Sequence, residues 1–317
     1  MFNTHRGIDY IYNIIKYCDL QTVGSILLVS KVHYLLNGNM MWSLLIQREY
    51  SDVVFSEDIL VKSPQEIYFY GIHVKHFDYI VKNKIQWYNH SLKVINPLWI
   101  PPGQIVSLSH NCIAEIPENW LSDTQIQKVS LSHNSIKKIP ENWLSGTQIQ
   151  IVSLYSNSIA EIPENWLSNT QVRKVSLSNN SIAEIPENWL SDTQVREVYL
   201  SNNFIKKIPE KWLSNTQVRE VYLSHNFIAE IPENWLQDTQ VREVYLSHNS
   251  IKKIPENWLQ DTQVREVYLR NNHITEIPKN WLSGTQVQEV YLGSNSIDNK
   301  IRKKIINKYP QISIYFG

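Results

Sequence analysis

Cysteine is almost missing from this sequence: its 317 residues hold two, Cys18 and Cys112. Thiols so few and so far apart define neither a disulfide framework nor a thiolate metal site. Glycine is scarce as well, at nine residues, and no Gly-rich phosphate loop, nucleophile elbow, metal-binding HExxH helix or paired-carboxylate constellation is found. The expectation is therefore no enzyme: no catalytic residue, no cofactor and no metal. A net charge is lacking too, with 30 acidic residues against 30 basic and a pI near 7.2. A neutral chain has no global attraction for nucleic acid or an anionic membrane, and neither is expected as a partner. No apolar run is long enough to span a bilayer. The opening stretch MFNTHRGIDYIYNIIKYCDL has no basic segment followed by an uninterrupted apolar one, so no secretory signal is expected. The sequons at Asn89 and Asn179 then carry no weight, and a cytoplasmic location is the expectation.

What the chain does have is repetition. Leu108, Leu131, Leu154, Leu177, Leu200, Leu223, Leu246, Leu269 and Leu292 follow one another at intervals of 23 residues, each with an asparagine three positions later, from Asn111 to Asn295. A fixed period of this length means a solenoid, in which each unit buries its apolar side against its neighbours. Within VREVYLSHN, at 218–226 and again at 241–249, Val221 and Leu223 point one way while Glu220, Tyr222 and Ser224 point the other. The first set is core; the second is displayed. The Asn amide is expected to bond the backbone of adjacent turns, satisfying groups that are costly to bury bare. Eight tryptophans, Trp120 to Trp281, recur beside leucine on the opposite side and read as packing.

The unit Ile126-x-x-Val129-x-Leu131-x-x-Asn134-x-Ile136-x-x-Ile139-Pro140 resembles the leucine-rich repeat, LxxLxLxxNxLxx(L/I)P, at nearly every anchor. The resemblance implies an α/β solenoid with parallel strands on its concave face. Residues 84–295 divide into one degenerate unit, carrying Ile85, Trp87, His90 and Leu92, and nine regular ones; 296–317 read as a C-terminal cap with Ile301, Ile305 and Ile306 on one helical stripe, then a strand-like ISIYF.

Stacking turns each repeat position into a column. One column, Glu115, Lys138, Glu161, Glu184, Lys207, Glu230, Lys253, Glu276, alternates in sign between most neighbours, so its KKIP segments are expected to be neutralised by flanking repeats. The displayed column starts as serine (Ser107, Ser130, Ser153, Ser176) and becomes tyrosine (Tyr199, Tyr222, Tyr245, Tyr268, Tyr291). Beside it run Arg173, Arg196, Arg219, Arg242 and Arg265, with Glu197, Glu220, Glu243, Glu266 and Glu289. Recent duplication explains uniform columns, but it does not explain a change of size at an exposed position while the core stays constant. Tyrosine with arginine is the composition of a protein-binding hot region, and the concave stripe is expected to hold a protein substrate. The neighbouring pairs His110–His133 and His225–His248 lack a third ligand and are read as solvated rim residues rather than a metal site.

Residues 1–50 show no echo of the period. Ile11, Ile14, Ile15 and Cys18 share one helical face, and Asp19 stands where it can cap a second helix; a short helical linker, 51–83, follows. This segment resembles the F-box: Asp9, Ile11, Ile14, Tyr17, then Val29-Ser30-Lys31, Leu35, Trp42 and Leu45 match its pattern, while Arg6-Gly7 replaces its opening Leu-Pro. The resemblance implies that Ile11, Ile14, Ile15, Tyr17, Val29, Lys31 and Trp42 grip a Skp-type linker, making the chain a substrate adaptor of a Skp/cullin/F-box ubiquitin ligase. The alternative is a free-standing repeat scaffold with a helical N-terminal cap. Near-identical repeats behind a divergent F-box also resemble proteins of large DNA viruses of protists, for which the location becomes the host cytoplasm.

Overall fold

The computed structural model describes residues 84–86, 93, 95 and 104–316. The F-box-like segment 1–50, the linker 51–83 and Trp87, His90 and Leu92 of the degenerate unit lie outside the described residues.

Eleven three-residue strands form one parallel sheet in strict sequence order. They are β1 (Lys84–Gln86), β2 (Ile105–Ser107), β3 (Lys128–Ser130), β4 (Ile151–Ser153), β5 (Lys174–Ser176), β6 (Glu197–Tyr199), β7 (Glu220–Tyr222), β8 (Glu243–Tyr245), β9 (Glu266–Tyr268), β10 (Glu289–Tyr291) and β11 (Ser313–Tyr315). Each pairs with the next in register, so Val198 faces Val221 and Tyr199 faces Tyr222; β1 joins with Ile85 opposite Val106. Because the period is constant, identical residues become neighbours across the ladder. The central valine of β2–β10 and the leucine two residues on are buried throughout, from Val106 and Leu108 to Val290 and Leu292.

The asparagine does what its position demands. Asn226 Nδ2 donates to the Leu223 carbonyl of its own turn and the Leu200 carbonyl of the preceding one, while its Oδ1 accepts from Ile205 N. The same triplet is made by Asn134, Asn180 and Asn249. One side chain thus closes three buried backbone groups, each costing about 1–3 kcal/mol if left bare.

The side remote from the sheet is built of turns where an α/β solenoid was expected to carry helices. Trp143 N donates to Pro140 O, Ser145 N to Asn142 O and Thr147 N to Leu144 O, a chain of three-residue steps rather than four. The left-handed residue near the end stops the segment from continuing as a regular helix, leaving only a short run of three-residue turns. That left-handed column is Asp123, Gly146, Asn169, Asp192, Asn215, Asp238, Asp261 and Gly284, with φ between 54° and 72°: the residue types that tolerate positive φ. A second left-handed column, from His110 to Ser294, precedes each ladder asparagine. Threonine after the first column ties the turn, as Thr216 Oγ1 donates to Leu213 O at 2.9 Å.

Five of the seven neighbouring tryptophan pairs stack between turns with centroids 6.2–6.5 Å apart, and all eight side chains are at most 1% exposed. The indole N–H of Trp143 through Trp281 is buried without a protein acceptor. Burying roughly 200 Å² of ring contributes about 5 kcal/mol, which outweighs the ~1–3 kcal/mol of an unmet donor.

The one α-helix among the described residues, α1 (Asn299–Lys308), starts at Asp298, whose carboxylate accepts from Lys300 N at 2.7 Å. Ile305, Tyr309 and Ile312 are buried, Ile301 is half-buried and Ile306 faces solvent, so the apolar stripe is narrower than the sequence implied.

Candidate interaction surface

The outward residues of β6–β10 form two in-register columns, one of glutamate and one of tyrosine. The five tyrosines stack face to face: centroid distances are 4.2 Å for Tyr199–Tyr222 and Tyr222–Tyr245, 4.3 Å for Tyr245–Tyr268 and 4.5 Å for Tyr268–Tyr291. Strands about 4.8 Å apart hold like residues at a spacing that suits offset stacking. Each hydroxyl donates to the glutamate two residues earlier in its own strand: Tyr199 to Glu197 and Tyr222 to Glu220 at 2.9 Å, Tyr245 to Glu243 and Tyr268 to Glu266 at 2.7 Å, and Tyr291 to Glu289. Burial and the neighbouring carboxylate push the Tyr245 phenol up to about 12 and raise Tyr222 and Tyr268 as well. For Tyr291 the Glu289 hydrogen bond is the leading cause of a rise.

The row is longer than the sequence suggested. Tyr315 of β11 stacks on Tyr291 at 4.6 Å and is 42% exposed. Aligning SIY of the cap strand with EVY of the repeats reveals it, but the interval there is 24 residues instead of 23. At the other end Lys174 closes the row: its ammonium donates to Glu197 at 2.7 Å and to Tyr199 OH at 3.0 Å, and lies 4.5 Å from the Tyr199 ring centroid. Burial opposes these charges, but the mutual hydrogen bonds win, raising the Lys174 pKa and lowering that of Glu197.

Arg196, Arg242 and Arg265 are exposed and Arg219 is half-buried beside the glutamates. Among the described residues the ion pair within 4 Å is Lys174–Glu197. The expected neutralisation of the Glu115-to-Glu276 column is thus not made by ion pairs. Those side chains are all exposed, where an ion pair gains about 0–1 kcal/mol, too little to hold two long chains in place.

The first half of the face differs. Ser109 Oγ bonds Ser130 at 2.8 Å and Ser132 Oγ bonds Ser153 at 2.8 Å, forming a hydroxyl zigzag along β2–β4. On the rim the histidine pairs stack at 4.1 Å (His110–His133) and 4.0 Å (His225–His248). Burial, then the neighbouring imidazole, lowers the pKa of His133 and of His225. Among the described residues no group of three or more His, Cys, Asp or Glu is placed to hold a metal. Sequence reasoning passed over Phe204 and Phe227, which stack at 5.9 Å and are 51% and 53% exposed, where the neighbouring turns carry serine.

No curated protein sequence matches the chain. Among solved structures the array is similar to a chain of the TLR13–ssRNA13 complex, at 19% identity and a TM-score of 0.58 over 62% of this chain and 30% of that one. It is also similar to a chain of the glycosylated Drosophila Toll–Spätzle complex, at 20% identity and a TM-score of 0.61 over 70% of this chain and 33% of that one. This chain thus spans about a third of those relatives, and the likeness is one of fold. The profile of the BspA-type leucine-rich repeat region matches residues 114–229 and 185–308, in six copies, together more than half of the sequence. Its period, its asparagine ladder and this match agree: the chain belongs to the leucine-rich repeat proteins, with repeats of the BspA type.

Proposed function

We propose that the protein is a non-catalytic interaction adaptor in the cytoplasm, binding a protein partner on the solvent face of β6–β10. The observation that carries this reading is the ladder Tyr199–Tyr291 with its flanking Arg196, Arg219, Arg242 and Arg265. Half-buried aromatic rings already ordered by their neighbours lose little side-chain entropy on binding, and tyrosine and arginine dominate interface hot spots. Since stacking covers the ring faces, a partner meets ring edges, hydroxyls and guanidinium groups. Tyr222→Ala combined with Tyr245→Ala is expected to release partners bound by the full chain; a partner retained unchanged by that folded variant sinks the assignment.

The adaptor's second arm is the docking of residues 1–50 on a Skp-type linker, supported by the F-box-like spacing through Ile11, Ile14, Tyr17, Val29-Ser30-Lys31 and Trp42. Co-elution of the full-length chain with purified Skp-type linker, lost on Ile14→Asp plus Val29→Asp at unchanged circular dichroism, is the expected result. The Arg6-Gly7 replacement favours a second reading, a free-standing interaction scaffold. Failure of the folded full-length chain to retain linker selects it.

A further inference from the structure

The tyrosine row also carries chemistry of its own, independent of partner binding. We propose that β6–β11 form an oxidative modification site, at which a one-electron oxidant couples tyrosines of neighbouring turns into dityrosine within a single chain.

Three observations converge on the row. The six rings from Tyr199 to Tyr315 stack at 4.2–4.6 Å with planes within 13° of parallel. In a parallel in-register ladder, equivalent atoms repeat at the strand spacing of about 4.8 Å, so each ring's ortho carbons lie over those of the next. Every hydroxyl from Tyr199 to Tyr291 is hydrogen-bonded to a carboxylate. A phenol that loses an electron becomes a strong acid, and here its proton already rests against a base. The rings are half-buried or exposed, so an oxidant reaches them, while the tryptophans are sealed in the core. The other described tyrosines differ. The Tyr155 ring meets the edge of His133 at 5.1 Å and its hydroxyl accepts from the Asn179 amide rather than facing a carboxylate, and Tyr309 is 4% exposed with its hydroxyl on the Lys279 carbonyl.

The step balances. Two one-electron oxidations, by the ferryl haem of a peroxidase consuming hydrogen peroxide, remove one electron each from Tyr222 and Tyr245. Their phenolic protons pass to Glu220 and Glu243. The two phenoxyl radicals form one carbon–carbon bond between ortho carbons, and the two ortho hydrogens move to the oxygens, restoring both phenols. The protons on the glutamates pass to water, and one peroxide is reduced to two waters per cross-link. Exchange of the electron hole between stacked rings lets radicals formed at separate rungs meet as neighbours.

Trypsin separates the rungs from Tyr199 to Tyr291 into five peptides, including 197–206, 220–242, 243–252 and 266–270, each coupling among them having its own mass; Tyr315 shares peptide 309–317 with Tyr309, and fragment ions tell those two apart. The full-length chain is treated with peroxidase and peroxide at high dilution, and the monomer is isolated, digested and analysed. Adjacent-rung pairs, such as 220–242 with 243–252, are the expected dominant cross-links. Dityrosine found only in multimers, or pairs with Tyr155 or Tyr309 as abundant as adjacent-rung pairs, overturns the proposal. A second variant guards against misfolding: Tyr222→Phe, Tyr268→Phe and Tyr315→Phe together keep the stack but leave no two tyrosines adjacent. It is expected to lower the total of rung-to-rung cross-links in the monomer digest roughly tenfold at unchanged circular dichroism; an unchanged total rejects the site.

Discussion

The turns of β2–β5 and those of β6–β10 share their core columns and differ on one face. The first set displays Ile105, Lys128, Ile151 and Lys174 beside serines; the second displays five glutamates beside five stacked tyrosines. Valine, leucine, asparagine and tryptophan hold both sets in the same way. Frame and face are therefore separable in this protein. A parallel in-register ladder fixes the spacing of whatever side chains stand outward, and only their chemistry changes at the seam, where Lys174 meets Glu197.

If the frame is common to both sets, Trp143→Ala and Trp235→Ala each cost about 3–5 kcal/mol, with the two values alike. Urea unfolding measures both, and a large gap between them breaks the idea of one frame. The faces differ in the next test. Tyr222→Ala removes two ring stacks and the bond to Glu220, roughly 2 kcal/mol, whereas Ser153→Ala costs under about 1 kcal/mol. Equal losses would mean the tyrosines contribute nothing through stacking.

In the common frame, Gly146 and Gly284 have φ of 72° in opposite sets. Alanine at either is expected to cost about 1 kcal/mol and asparagine less; the thermal midpoints of the four variants decide.

The smallest effect sharpens the seam. The Lys174–Glu197 pair is a third or more exposed, so Lys174→Ala costs under about 1 kcal/mol after screening. Its pH dependence follows from the directions of the two shifts. Glu197 is lowered from 4.5, so its contribution is present above that value and is lost as pH falls through the lower folded one. Lys174 is raised from 10.5, so its contribution is present below that value and is lost as pH rises through the higher folded one. The stability gap between wild type and variant should be flat from about pH 5 to 10 and close at both ends.

Much of this frame was legible in the sequence because it obeys a period. Valine at the strand centre, leucine two on and asparagine three further fix sheet, register and ladder without any distance being known. The turns opposite the sheet were not read correctly, because the signal for them, Asp, Gly or Asn in one column, concerns backbone conformation and not burial. The outward columns were legible as composition only. That Tyr222 spends its ring faces on Tyr199 and Tyr245, and its hydroxyl on Glu220, follows from strand spacing rather than from pattern. Tyr315 was hidden by one extra residue, and the pairing of the Glu115-to-Glu276 column was overestimated because opposite charges in sequence do not guarantee contact on an exposed side.

The identical segments at 218–226 and 241–249 have a genetic consequence. Removing any 23 consecutive residues that begin inside the first and end at the matching point of the second rejoins VREVYLSHN to itself. Every hydrogen bond across the new seam has the partners it had before, and the row loses one ring and about 4.8 Å of length. A deletion of this kind would act as a ruler adjustment: it would set how far the displayed surface reaches, in whole steps, while leaving the fold no new junction to solve.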